Sequence, residues 1–135
     1  MSKRQTSLQY LKYAETFKTY HPMDVIFREG DIGKHMFVIK TGTVELRVAQ
    51  RAIEILSTGE IFGEMAMLDA HKRSATAIAM SECQIVPIDE ARFLYMVRQT
   101  PYFAIEVMQI MAQRLRNMNQ RNSAIIKPVT RDKSE

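Results

Sequence analysis

Residues 62–79 read Phe62-Gly63-Glu64-Met65-Ala66-Met67-Leu68-Asp69-Ala70-His71-Lys72-Arg73-Ser74-Ala75-Thr76-Ala77-Ile78-Ala79. Gly63 has no side chain, so a ligand can approach its backbone and a positive φ is open to it. The Glu64 carboxylate accepts hydrogen bonds from hydroxyl groups. Met65 to Leu68 are good helix formers and predict about one turn, whose first amides suit an anion. Asp69 to Lys72 read as a loop. Arg73 supplies a planar fork that matches phosphate oxygens. Ser74 adds a hydroxyl donor, the small Ala75 leaves its own N–H accessible, and Thr76 to Ala79 read as a strand. One short segment thus carries what is needed to hold a hydroxyl and a phosphate together. Each piece alone is common on protein surfaces; the order Gly-Glu-x-Ala-x-Leu followed by Arg-Ser-Ala-Thr is far more specific.

Outward from this segment, the chain reads as a helix, then strands, then helices. Leu8, Leu11, Ala14 and Phe17 recur at helical spacing until His21-Pro22 breaks the pattern. From Asp24 to Asp89 come short runs rich in β-branched and aromatic residues: Val25-Ile26-Phe27, Met36-Phe37-Val38-Ile39, Val44 to Val48, and Ile53 to Leu56. Gly30-Asp31-Ile32-Gly33, Thr41-Gly42-Thr43 and Ser57-Thr58-Gly59 separate them, and all five glycines fall between residues 30 and 63. Many short strands with regular turns predict a mainly β fold, an antiparallel jelly-roll barrel, flanked by an N-terminal helix and a long C-terminal helix. The expected boundaries are 1–23 for the N-terminal helical segment, 24–89 for the barrel, 90–126 for the C-terminal helices and 127–135 for a flexible tail. Asp89 begins a short helix with an acidic start, and Thr100-Pro101 read as the cap and first position of a longer one. On that helix Ala104, Met108, Met111, Leu115, Met118, Asn122 and Ile125 form a heptad stripe with one polar member, which predicts a parallel two-stranded coiled coil and hence a homodimer. A second stripe of Phe103, Val107 and Ile110 is expected to face the barrel.

The 135 residues suit one domain with a real core. With 25% charged and 46% hydrophobic residues, general disorder is excluded. No apolar run approaches a membrane span, no signal-peptide core follows Met1, and Cys83 is the only cysteine. A cytoplasmic location is expected. The net charge of +4 gathers late, at Arg114, Arg116, Arg121, Lys127, Arg131 and Lys133, where a solvated helix face explains it better than a nucleic-acid or lipid partner.

The segment 62–79 resembles the phosphate-binding cassette of cyclic nucleotide-binding domains. Phe27-Arg28-Glu29-Gly30-Asp31, Val38-Ile39-Lys40-Thr41-Gly42-Thr43-Val44 and Gly59-Glu60-Ile61-Phe62-Gly63-Glu64 resemble that family's strand corners and its approach to the cassette. The likeness runs over roughly residues 15–120, and is greatest to the sensor domains of catabolite activator protein relatives and protein kinase A regulatory subunits. It implies a bound cyclic nucleotide, cAMP favoured over cGMP, with no further cofactor and no metal. It implies that Glu64 binds the ribose 2′-hydroxyl with help from the Gly63 backbone. Arg73 would pair with the cyclic phosphate, with Ser74 and the Ala75 amide completing the cradle. Phe62, Met65, Ala66 and Thr76 would line the same site, and Leu46 and Ile53 fall where relatives place apolar contacts to base and sugar, alongside ordinary core packing. Where some relatives carry a hydroxyl pair on the long helix, this chain has Met118 and Asn119, so Asn119 alone could hydrogen-bond the base.

Other chemistries fit poorly. His21, His35 and His71 are too scattered for a cupin metal site. One cysteine does not make an iron–sulfur centre. Ser74 neighbours an arginine rather than a base, so no hydrolase or other enzyme is expected. The sequence stops about ten residues past Ile125, too soon for a winged helix, so direct DNA binding is not expected and the signal would pass to an unidentified effector protein. The alternatives are a barrel that dimerises or scaffolds without ligand, and the excised sensor of a transcription regulator.

Overall fold

A computed structural model of the chain describes residues 16–69 and 72–130. Among the described residues, eight strands precede the last two helices: β1 (Lys18–Tyr20), β2 (Val25–Phe27), β3 (Met36–Thr41), β4 (Val44–Val48), β5 (Arg51–Leu56), β6 (Ile61–Phe62), β7 (Thr76–Ala79) and β8 (Cys83–Ile88). A short helix, α1 (Glu64–Asp69), lies between β6 and β7; α2 (Glu90–Gln99) and α3 (Tyr102–Thr130) follow β8. The strands form two four-stranded sheets, ordered β1-β8-β3-β6 and β2-β7-β4-β5, with every pairing antiparallel. Mainly antiparallel sheets with flanking helices are the architecture the strand spacing predicts.

The buried faces of both sheets supply the core. Ile39, Val44, Leu46, Leu56, Phe62, Ala75, Ala77, Ala79, Cys83 and Ile85 form one buried cluster. β3 and β8 bury alternate or successive positions because each lies inside its sheet rather than at an edge. Three rings tie the sheets together: Phe27 and Phe37 each tilt or stack on Phe62, at centroid distances of 5.8 and 5.2 Å, and on each other at 5.8 Å. Full burial of a ring such as Phe62 contributes about 1.5–3 kcal/mol.

Local chemistry sets the element ends. Asp89 caps α2, its carboxylate accepting from the Arg92 amide at 2.8 Å. Gly42 turns β3 into β4 with φ +111°, and a Cβ there would meet the Cys83 sulfur and the Glu82 carbonyl. The β4–β5 turn is made by Ala49 and Gln50, both with positive φ, and the Glu29 carboxylate accepts from the Ala49 amide at 3.1 Å.

Three boundaries differ from expectation. The N-terminal helix expected over 1–23 lies, for residues 1–15, outside the described residues, and Lys18–Tyr20 is strand rather than helix. That strand exists because it pairs with Cys83 to Ile85 of β8, a partner far along the chain. The tail expected from residue 127 is still helix as far as Thr130. The proposed Pro101 start moves by one residue, since Pro101 forms a turn and α3 begins at Tyr102. The chain divides into two compact units, Met1–Phe103 and Ala104–Glu135; the first contains both sheets, α1 and α2. No helix among the described residues is long and apolar enough to cross a membrane.

Candidate functional site

The cassette folds around Arg73. Its backbone is fixed on both sides, with its amide donating to the Asp31 carbonyl at 2.6 Å and its carbonyl accepting from Gly30 at 2.9 Å. The side chain then turns inward and is only 6% exposed. Nη1 donates to the Gly63 carbonyl at 2.9 Å and Nη2 to the His35 carbonyl at 2.8 Å. The guanidinium carbon stands 4.2 Å from the Phe27 ring centre and 5.4 Å from that of Phe37. In a desolvated setting, such a cation–π contact is worth on the order of 2 kcal/mol.

The electrostatics follow from burial. Desolvation lowers the Arg73 pKa from its ordinary value, and the carboxylates of Asp31 and Glu64 oppose that shift. Arginine starts so high that the group stays cationic throughout the physiological range. Among the described residues, the two carbonyls engage two of its five N–H donors.

Glu64 is the first residue of α1 and is 2% exposed. A buried carboxylate is costly unless it is paired or hydrogen-bonded. Its influence on Arg73 places both charged groups in one electrostatic environment. Gly63 precedes it with φ +78°, and a Cβ there would come within 2.8 Å of Nη1 and 3.2 Å of the Phe37 ring. Glycine is therefore required twice, by conformation and by space.

The other expected site residues fall in different surroundings. Ser74 is exposed, Ala75 is buried, and Met65 is half-buried beside the buried Ala66. Thr76 is half-buried, and its hydroxyl accepts from the Glu29 amide at 2.9 Å. Phe62, expected to line the site, is instead wholly buried in the aromatic trio and presents no surface to a ligand. Leu46 is buried in the core, and Ile53 packs against it from a β-bulge between the Leu46–Glu54 and Arg47–Ala52 pairs. Asn119 is exposed on α3, in the second compact unit.

Sequence reasoning missed the seat of the guanidinium: the His35 carbonyl, the Phe27 and Phe37 rings, the Asp31 charge and the bare Gly33 backbone. Only Gly33 carried a signal, as the second glycine of Gly30-Asp31-Ile32-Gly33, and there it read as a turn. A cleft of about 390 Å³ lies nearby, lined by Gly33, Lys34, Met67, Asp89, Glu90 and Ala91; neither Glu64 nor Arg73 forms its wall. Among the described residues no three His, Cys, Asp or Glu side chains are grouped so as to hold a metal ion.

The family model for the cyclic nucleotide-binding domain matches residues 17–100, more than half of the chain, and the chain belongs to that family. The cyclic AMP receptor protein of Thermus thermophilus is 32% identical over 96 residues, which are 67% of this chain and 44% of the relative. The potassium/sodium hyperpolarization-activated cyclic nucleotide-gated channel 2 of Mus musculus is 29% identical over 118 residues, 87% of this chain and 14% of the channel. The chain thus spans less than half the length of either curated relative. Among solved structures, the Thermus thermophilus catabolite activator protein matches with a TM-score of 0.73 at 26% identity, over 93% of this chain and 60% of that one. A structure of PKAR CBD2 bound to Sp-2Cl-cAMPS matches with a TM-score of 0.72 at 22% identity, over 89% of this chain and 88% of that one, a likeness of fold.

Proposed function

We propose that the chain is a regulatory sensor that binds a purine 3′,5′-cyclic nucleotide, cAMP in preference to cGMP, between Glu64 and Arg73. The observation that carries it is the burial of this carboxylate and this guanidinium in one electrostatic environment at the two ends of the α1 loop. Glu64 takes the ribose 2′-hydroxyl and Arg73 the cyclic phosphate, with Ser74 and the Ala75 amide beside it. The carbonyls of Gly63 and His35 engage two of the five Arg73 N–H donors, and the others are assigned to the phosphate. The preference for cAMP draws on the name of the Thermus thermophilus cyclic AMP receptor protein.

Binding shifts the population of C-terminal helix arrangements, and the altered helices act on a partner protein. A ligand biases such an equilibrium only through its differential affinity for the two states. The chain dimerises through α3, where Met108, Leu115 and Met118 are exposed at heptad spacing. It is not an enzyme and needs no cofactor beyond its ligand.

A second reading, a barrel that dimerises or scaffolds without ligand, draws on the same guanidinium. With both carbonyl bonds made, Arg73 can serve as a structural tether between the β2–β3 loop and the start of α1. Calorimetric titration with cAMP, cGMP and linear 5′-AMP separates the two. The sensor takes up a cyclic nucleotide saturably and 5′-AMP weakly. A chain that binds neither cyclic nucleotide with Kd below about 1 mM, roughly 4 kcal/mol of binding free energy, is the tethered barrel.

A further inference from the structure

A side chain at position 33 and the guanidinium of Arg73 cannot occupy the same place. A Cβ added to Gly33 would overlap the guanidinium carbon and Nε and would lie 2.7 Å from Nη2. The backbone itself does not ask for glycine there. Gly30, Gly42, Gly59 and Gly63 adopt positive φ, whereas Gly33 does not. An alanine fits such a conformation and reduces the freedom of the unfolded chain. The three atoms nearest to such a Cβ all belong to Arg73, which accounts for the absence of a side chain. The atoms in the way are the far end of a long, rotatable side chain, so an added methyl would be relieved by moving the guanidinium and not the backbone. The guanidinium, however, is held in one seat by the Gly63 carbonyl, the His35 carbonyl and the Phe27 ring. Displacing it breaks at least one of those contacts.

We propose that Gly33 is a positioning residue of the anion site: its missing side chain is the space in which Arg73 lies across the two carbonyls. Gly33 touches no ligand; it acts through Arg73. The inference deepens the reading of Arg73 as the phosphate partner and rests on it. It predicts that a substitution on the β2–β3 loop changes affinity for an anionic ligand, through Arg73.

A double-mutant cycle tests it, using cAMP titrations of wild type, Gly33→Ala, Arg73→Ala and the double variant. Gly33→Ala should lose at least ~tenfold in affinity while still unfolding in one cooperative transition, several degrees below wild type because a guanidinium contact is lost. In the Arg73→Ala background the same change should lose less than about twofold. Equal losses in both backgrounds, or no loss in Gly33→Ala, overturns the proposal. A second readout needs no ligand. In a locked guanidinium, Nη1 and Nη2 of Arg73 give separate nitrogen resonances, and Gly33→Ala should average them. Averaged signals in the wild type, or signals unchanged by the substitution, overturn the proposal. Failure of the wild type to bind any cyclic nucleotide would instead refute the functional reading, leaving the resonances to decide the role of Gly33.

Discussion

Arg73 donates from Nη2 to the carbonyl of His35 at 2.8 Å, joining residues 38 positions apart in the chain. With the Nη1 bond to Gly63, this ties the β2–β3 loop and the start of α1 to one cation. The tie uses neutral acceptors, which hold a guanidinium in place without cancelling its charge. An anion held by this guanidinium would be connected through it to two loops and to the helix that follows Gly63.

Glu64 should act on one atom of the ligand. Glu64→Ala is expected to weaken cAMP by about 1.5–3 kcal/mol, the range for a hydrogen bond to a charged group. The variant should then bind 2′-deoxy-cAMP and cAMP alike. Competition binding measures both ligands against both proteins; if the 2′-hydroxyl is worth as much in Glu64→Ala as in wild type, Glu64 does not contact the ribose.

Gly42 should matter to stability. Gly42→Ala forces a side chain into φ +111° and against the Cys83 sulfur and the Glu82 carbonyl, so it is expected to lose about 2–3 kcal/mol of stability. Urea unfolding measures the loss. A Gly42→Ala protein as stable as wild type would mean that the β3–β4 corner relaxes freely.

Much of the fold was legible from local chemistry. The runs Val25–Phe27, Val44–Val48 and Thr76–Ala79 are strands at those same residues; β-branched and aromatic content is a local signal in the first two, and Gly42 marks the turn before the second. β1 was not legible: three residues become a strand only by pairing with β8. The Ala49–Gln50 turn was hidden for another reason, since neither residue type advertises a positive φ. In the site, Glu64 and Arg73 stood out as side chains with chemistry. Their setting did not, because the Arg73 acceptors are backbone carbonyls, which carry no residue identity. Gly33 was visible as a glycine, but the guanidinium that needs its empty space arrives from 40 residues away.

The exposed stripe of α3 should mediate self-association. Leu115→Glu places a charge beside Met108 and Met118, all exposed in the single chain, and is expected to shift a dimer to monomer at tens of micromolar. Sedimentation equilibrium on wild type and variant checks this. A wild type that is already monomeric at that concentration removes the dimer from the account.

The most direct measurement is a calorimetric titration of wild type and Arg73→Ala with cAMP. Loss of a buried charged partner is expected to cost on the order of 2–5 kcal/mol, roughly thirtyfold to several thousandfold in Kd, with the wild type saturating at one ligand per chain. An Arg73→Ala protein that binds cAMP within about threefold of wild type, less than 1 kcal/mol, would contradict the assignment of Arg73 as the phosphate partner.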